Sequence, residues 1–275
     1  MHTQLFHERN GRTGDLLPTS TVLHAKMRTR YFTPHDYFEP TYSCTSDVRL
    51  PSQVGDGPKW LCGVDALPSP CRVLSLGSDF DDAFERAMYA RVGCQSHIVV
   101  DLTLGVASMG RKRLLHGYKR SKESVVAFTK LLASYGATLN HTVGVGDPRG
   151  ARQSFRVVGF EQLLRDRYGD PPWHVHVLKM DIEGHEQTVL LEAYALCAAG
   201  KLEIDQLNVE VHTFQSAANR TVGDLYAIFD GAKQCGLMLH HKERNLWGCR
   251  DGQCLEYAWV SMRHARREMM ATLGL

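Results

Sequence analysis

From residue 71 onward, short apolar runs alternate with amphipathic segments, the pattern of strands joined by helices in a mostly parallel, helix-covered sheet. "CRVLSL" (71–76) predicts the first strand, and "DDAFERAMYARVG" after it carries Phe84, Ala87, Met88 and Val92 at helical spacing. "HIVVD" (97–101) predicts the second strand, a helix follows over 122–136 with Gly136 as its stop signal, and "TLNHTVGV" (138–145) predicts the third strand. A short helix "FEQLLRDRYG" leads into the fourth strand, "HVHVLKMD" (174–181), and the helix "EQTVLLEAYALCAAG" follows it. "IDQLNVEVH" (204–212) is the fifth strand, and "TVGDLYAIFDGAKQCG" is the next helix. "LMLHHKE" and "LEYAWVSM" close the chain with no helix between them, which suits an antiparallel hairpin.

Residues 1–68 differ. Loop signals such as "LPTS", "TPHD", "GDGP" and "LPSP" crowd them and periodicity is weak, so they read as an irregular extension packed on one α/β domain over 69–275.

In an open parallel sheet the ligand crevice lies beyond the carboxyl ends of the strands. Asp101, Asp181, Glu183, Glu210 and His212 all fall at such ends. The loop "LGSDFDD" (76–82) follows the first strand and opens a helix, so its backbone can meet a polar ligand, although Gly77 is its only glycine. A plain turn with Asp79 or Asp81 as helix cap is the structural alternative. Asp101 follows Gly77 by 24 residues, near the spacing at which an acid binds a ribose diol. Gly184 lets the backbone leave the strand sharply after Asp181 and Glu183, and Glu183 could equally serve the start of the next helix. Lys179, inside the same apolar run, requires a carboxylate partner or a place at the sheet edge. His174 and His176 share a strand face, but with no matching third ligand they read as ordinary strand positions.

Composition changes little. Hydrophobic residues make up 43% and charged residues 23%, and 32 basic residues nearly balance 30 acidic ones, so a folded chain with a real core is expected and nucleic acid is not. The basic stretches 110–122 and 263–268 read as solvated faces, with contact to phosphate or an acidic substrate the alternative for the first. No window reaches the roughly 18 apolar residues of a membrane helix, and no signal-peptide core is present, so a cytoplasmic location is expected, with the secretory pathway as the alternative if an N-terminal anchor has been removed. Eight cysteines without a CxxC pair argue against a zinc ribbon. Free thiols are expected, with Cys249 and Cys254 the one pair that could bridge a short loop in an oxidising compartment.

"LKMDIEGHE" resembles the signature of FkbM-type S-adenosylmethionine-dependent methyltransferases, and "GDGPKWLC", "CRVLSLGSDF", "QLNVEVH" and "CLEYAWV" resemble other segments of related methyltransferase-like proteins. The resemblance covers about 210 residues from 55 onward. It implies a Rossmann-like, seven-stranded class I methyltransferase sheet with helices on both faces and S-adenosyl-L-methionine as cofactor. Carried over, Gly77, Ser78 and Asp79 would meet the methionine part and Asp101 the ribose, with Asp181 also at the cofactor. An oxygen nucleophile needs a positioned base, for which Asp181 comes first and His212 and Glu210 next, with Glu183 supporting the loop. The expected acceptor is a small molecule or glycan. Two alternatives stand beside this: Asp181 and Glu183 holding Mg²⁺ in a phosphoryl-transfer or hydrolytic site, or a non-catalytic cofactor-binding module, suggested by the glycine-poor loop.

Overall fold

The computed structural model describes residues 35, 38–78, 81–99, 138–140, 143–145, 156–182, 184–213, 221–247 and 254–275. Its main sheet has seven strands: β3 (Arg72–Leu76), β4 (Gln95–Val99), β5 (Thr138–Asn140), β8 (Trp173–Met180), β9 (Leu202–His212), β10 (Leu237–Arg244) and β11 (Cys254–Ser261). Their spatial order is β10-β11-β9-β8-β3-β4-β5. Strands β5, β4, β3, β8 and β9 run parallel, and β11 pairs antiparallel with both β9 and β10. The closing hairpin expected from the missing helix is therefore present. The chain order reverses between β3 and β8, the switch point at which ligands bind in such sheets.

The stretch 138–145 does not form one strand. After β5, residues Val143–Val145 (β6) leave the main sheet and pair in parallel with β7 (Arg156–Val158). Three-residue strands are too short for a period that would separate them in the sequence.

Successive residues face opposite sides of the sheet, and each side has its own cover. Leu74, Leu76, Leu178, Met180, Leu207 and Val209 face α2 (Phe160–Tyr168), α3 (Glu186–Ala198) and α4 (Val222–Gly231), burying Phe160, Leu190, Tyr194 and Ile228 in the larger core. Glu192 of α3 accepts from the first two backbone amides of α2 at 2.7 and 2.9 Å, satisfying donors that helix geometry leaves free. Thr221 and Asp224 form a capping box on α4. On the other face, Val73 and Val177 pack with Phe84 and Met88 of α1 (Ala83–Val92) and with Leu50 and Leu61.

Leu50 and Leu61 belong to a region expected to be irregular. Residues 47–62 instead form an antiparallel hairpin, β1 (Asp47–Leu50) with β2 (Lys59–Cys62). Polar side chains of β9 dock it. Gln206 accepts from Cys62 N at 2.8 Å and donates to Cys62 O at 2.9 Å, and Asn208 donates to Trp60 O at 3.1 Å. Strands this short, separated by a loop rich in glycine and proline, give no period to read.

Helix α5 (Met262–Leu273) was also absent from the sequence reading. Its buried face consists of His264, Ala265 and Glu268, which leaves no apolar stripe. His264 Nε2 donates to Cys62 O and Glu268 accepts from Ser46 N, so the helix holds the hairpin through polar contacts. Among the described residues no helix is long and apolar enough to cross a membrane.

The expectation of free thiols is corrected. Cys44–Cys62, Cys71–Cys94 and Cys197–Cys235 are disulfides, Cys254 is bonded as well, and no described cysteine is free. The three pairs lie 18, 23 and 38 residues apart in sequence, and folding brings their Cα atoms to 5.6, 4.3 and 5.0 Å. Spacing along the chain could not reveal them.

Candidate functional site

The carboxyl ends of β3 and β8 meet backbone to backbone. Asp181 N donates to Leu76 O and Gly77 N to Val99 O, both at 2.9 Å. Gly77 has φ +81°, and a Cβ there would lie 1.6 Å from the Asp181 carbonyl oxygen, so only glycine allows this approach. Ser78 donates to Asp81 O at 2.7 Å, and the Asp81 side chain accepts from Ala83 N, the first amide of α1, at 2.9 Å, one residue ahead of the N-cap Asp82.

Past β8 the chain turns through Gly184, at φ +99°. Glu186 fixes this turn: its Oε1 accepts from Ile182 N at 3.2 Å, Gly184 N at 2.8 Å and His212 Nδ1 at 2.9 Å. Glu186 drew no attention in the sequence because it opens a helix, where an acid in the first turn is unremarkable.

Sheet register assembles the acids. Met180 pairs with Val209, so Asp181 comes level with Glu210; Glu210 pairs with Glu256, and Glu256 with Glu243. Four carboxyls thus stand in one rung across four strands. Two ionised neighbours at the roughly 5 Å spacing of adjacent strands would each cost Glu210 about 3 kcal/mol at an effective dielectric constant of about 20. Glu210 therefore keeps its proton. Burial, reinforced by Asp181 and Glu256, raises its pKa to about 10.

The hairpin supplies the counter-charges. Lys59, buried beneath the rung, is bonded to Glu256. Burial alone would lower its pKa, but Glu256, Asp181 and Glu210 outweigh that and raise it. Burial pushes Glu256 up, with Lys59 opposing. Arg49 Nε donates to Glu243 at 3.1 Å and Trp60 Nε1 donates to the same oxygen at 2.9 Å. Asp181 shifts the opposite way from Glu210 and Glu256. Burial would raise it, yet Lys59, His212, Lys179 and a hydrogen bond donated by Glu210 hold it below the ordinary carboxylate range.

His212 Nε2 lies 4.0 Å from Asp181 Oδ1. Burial opposes its charge, but Glu186, Asp181 and Glu210 raise it well above an ordinary imidazole. At neutral pH the site holds an ionised Asp181 between a protonated Glu210 and two cations.

Lys179 found a partner rather than an edge: it is buried, 3.6 Å from Glu85, and donates to Gly77 O at 3.4 Å.

Two cavities open here. One of about 460 Å³ is walled by Gly77, Ser78, Phe84, Lys179 and Asp181, with Asp56–Pro58 as its far side. The second, about 320 Å³, lies across Asp56–Pro58 and reaches Glu256, Asn245 and Trp247. Asp181 lines the first, and its side chain is 26% exposed.

Gly77, Ser78, Asp181, Glu210 and His212 are thus gathered at one rim. Asp79, Asp101, Glu183 and the segment 110–122 lie outside the described residues. Lys59, Glu186, Glu243 and Glu256 went unassigned in the sequence; Lys59 carried the one available signal, a lysine opening the otherwise apolar "KWLC".

His174 and His176 do have a third neighbour. Asp205 lies 2.9 Å from His174 Nε2, and all three offer atoms within 4.8 Å of one another. Asp205 is already bound by Arg263 at 2.8 Å and Arg267 at 2.6 Å, and His176 Nδ1 accepts from Arg72 N, so these groups serve an ion-pair network.

A family model described as a methyltransferase domain matches residues 18–261. No curated protein matches the sequence. Among solved structures, the fibrillarin pre-rRNA processing protein of Methanococcus jannaschii aligns at 7% identity and a TM-score of 0.38, covering 80% of this chain and 85% of that one. Spermidine synthase from Thermotoga maritima aligns at 11% identity and a TM-score of 0.36, covering 81% of this chain and 72% of that one.

Proposed function

The chain belongs to the methyltransferase-domain family, and from that premise we propose that it transfers a methyl group from S-adenosyl-L-methionine to an oxygen of a small molecule or glycan. Within that family, "LKMDIEGHE" supports an FkbM-type subgroup. One observation carries the reading: an ionised strand-end carboxylate, Asp181, lines a cavity bounded by a glycine turn at the switch point of a parallel sheet.

The residues suit the cofactor. The cavity has the size of a nucleoside-binding pocket, and the bare Cα of Gly77 lets a ligand approach the backbone. Gly77 and Ser78 would hold the methionine part; Asp79 and Asp101 are proposed for the same site from their sequence positions. When bound, the cofactor supplies an electrophilic methyl group on a sulfonium cation. Asp181, kept ionised by Lys59 and His212, favours a cation beside it and accepts a hydrogen bond from an incoming hydroxyl. Glu210 is protonated, so it acts as a donor that orients Asp181 rather than as a base. His212, paired with Glu186, serves as a fixed cation. Alignment of the hydroxyl, rather than strong basicity, is then the main contribution of these side chains.

The metal-dependent alternative is weakened because Lys59 supplies the positive charge that the acid rung needs. The disulfides support an oxidising compartment over the cytoplasm.

Isothermal titration with S-adenosylmethionine tests the reading. Wild type should release binding heat, and Asp181→Asn should bind at least about tenfold more weakly, the equivalent of about 1.4 kcal/mol. No heat from wild type at high protein concentration overturns it.

A further inference from the structure

The second cavity has a chemistry of its own. Leu246 and Trp247 stand at its mouth, 65% and 60% exposed, side by side rather than scattered. Trp247 is nevertheless tied to the acid rung through one side chain. Buried Asn245 accepts from Trp247 N at 3.0 Å, and its amide donates to Glu210 Oε1 at 2.9 Å and to Asp56 Oδ1 at 3.0 Å. The backbone that carries this exposed indole is thereby fixed beside the groups that surround Asp181.

Charge narrows what it can hold. Along the cavity wall Glu243 is paired with Arg49 and Glu256 with Lys59. What remains is Asp56 and Arg244, one of each sign, and Arg244 makes no ion pair among the described residues. The wall therefore selects neither a strong anion nor a strong cation, while it offers carboxylate and amide groups that bond well to hydroxyls. A flat apolar face beside a neutral, hydroxyl-reading wall matches a ring with one C–H face and polar edges.

Resting on the methyl-transfer reading above, we infer that this cavity is the acceptor subsite and that the acceptor is a neutral carbohydrate, with one sugar ring lying on Trp247 and its hydroxyls reading Asp56, Glu243 and Glu256. Asp56, Gly57 and Pro58 line both cavities, so a ring seated there neighbours the cavity that Asp181 lines. The transfer then balances simply. The sugar oxygen forms the new C–O bond, the sulfonium–methyl bond breaks, and the hydroxyl proton leaves through Asp181.

The test uses the full chain with S-adenosylmethionine present, on an array of neutral glucose, galactose, mannose, xylose and fucose oligosaccharides beside sulfated, phosphorylated and uronic-acid ones. Hits are measured by calorimetry on wild type, Trp247→Ala and Trp247→Phe. Because Trp247 is exposed, neither variant threatens folding. We expect neutral oligosaccharides to bind, Trp247→Ala to bind about tenfold more weakly, as lost aromatic stacking predicts, and Trp247→Phe to recover most of the loss. Binding confined to acidic glycans, neutral binding indifferent to Trp247→Ala, or no glycan binding by a protein that does bind the cofactor would each overturn the inference. Trp247-dependent binding of neutral glycans without any cofactor heat would instead leave the sugar site standing and overturn the methyl-transfer reading.

Discussion

Replacing Gly77 by alanine puts the closest backbone contact of the site to a quantitative test. The residue adopts φ +81°, and an added methyl carbon would lie 1.6 Å from Asp181 O and 2.5 Å from Asp181 C. Left-handed backbone costs an L-residue about 1–2 kcal/mol. Since comfortable contact needs about 3.5 Å, the β3 turn must also lift by roughly 2 Å from the end of β8. That movement stretches the 2.9 Å bonds Gly77 N to Val99 O and Asp181 N to Leu76 O, each worth about 1 kcal/mol. The expected loss is about 3–4 kcal/mol, a large share of the roughly 5–15 kcal/mol available to a folded chain. Gly236→Ala isolates the steric part: Gly236 has φ +64°, but its added carbon meets nothing nearer than Met262 Cε at 3.8 Å. Guanidinium unfolding of both variants should show Gly77→Ala less stable than Gly236→Ala by about 2 kcal/mol, and calorimetry should show cofactor binding lost in the former alone. Equal unfolding midpoints would refute the reasoning, because they would mean that the two backbones do not touch.

Two further outcomes follow from charge and covalent structure. Glu210 keeps its proton up to about pH 10 when folded, against an ordinary value of 4.5, so between those values the folded state holds one proton more than the unfolded chain and stability falls as pH rises. Glu210→Gln keeps the acceptor for Asn245 and a donor for Asp181, so it should flatten that slope and add up to about 3 kcal/mol at pH 7; an unchanged slope in denaturant titrations from pH 5 to 9 rules out the protonated rung. Reducing the Cys197–Cys235 bond, which spans 38 residues, should cost about 3–4 kcal/mol, and an unfolding midpoint insensitive to reductant would show that the bond contributes nothing.

The alternation of strands and helices was readable because β3, β4, β8 and β9 each cluster Val, Leu and Ile between turn signals and each described helix packed on the larger core buries apolar side chains. Asp181, Glu210 and His212 were readable for a related reason: a carboxylate or imidazole closing such a run has no packing purpose there. The rest was hidden by register and by distance along the chain. Glu256 lies within a strand that reads as ordinary, and only its pairing with Glu210 gives it meaning. Lys59 lies 122 residues before Asp181 in a hairpin whose strands span four residues each. Helix α5 shows the same limit, since a face built from His264 and Glu268 has no hydrophobic signal.

The hairpin therefore does more than cover the sheet. A rung of four carboxyls without Lys59 and Arg49 would either take up more protons or splay apart, and Asp181 would lose the largest of the interactions that keep it ionised. Because Gln206 and Asn208 anchor β2 by its backbone, the position of Lys59 is set by β9, the strand that carries Glu210. The same strand thus places the acid and, through two polar side chains, the cation that balances its neighbours. Residues preceding the motif-bearing domain are consequently part of the site's electrostatics, and a fragment beginning at 69 would retain Asp181 without the charge that defines its state.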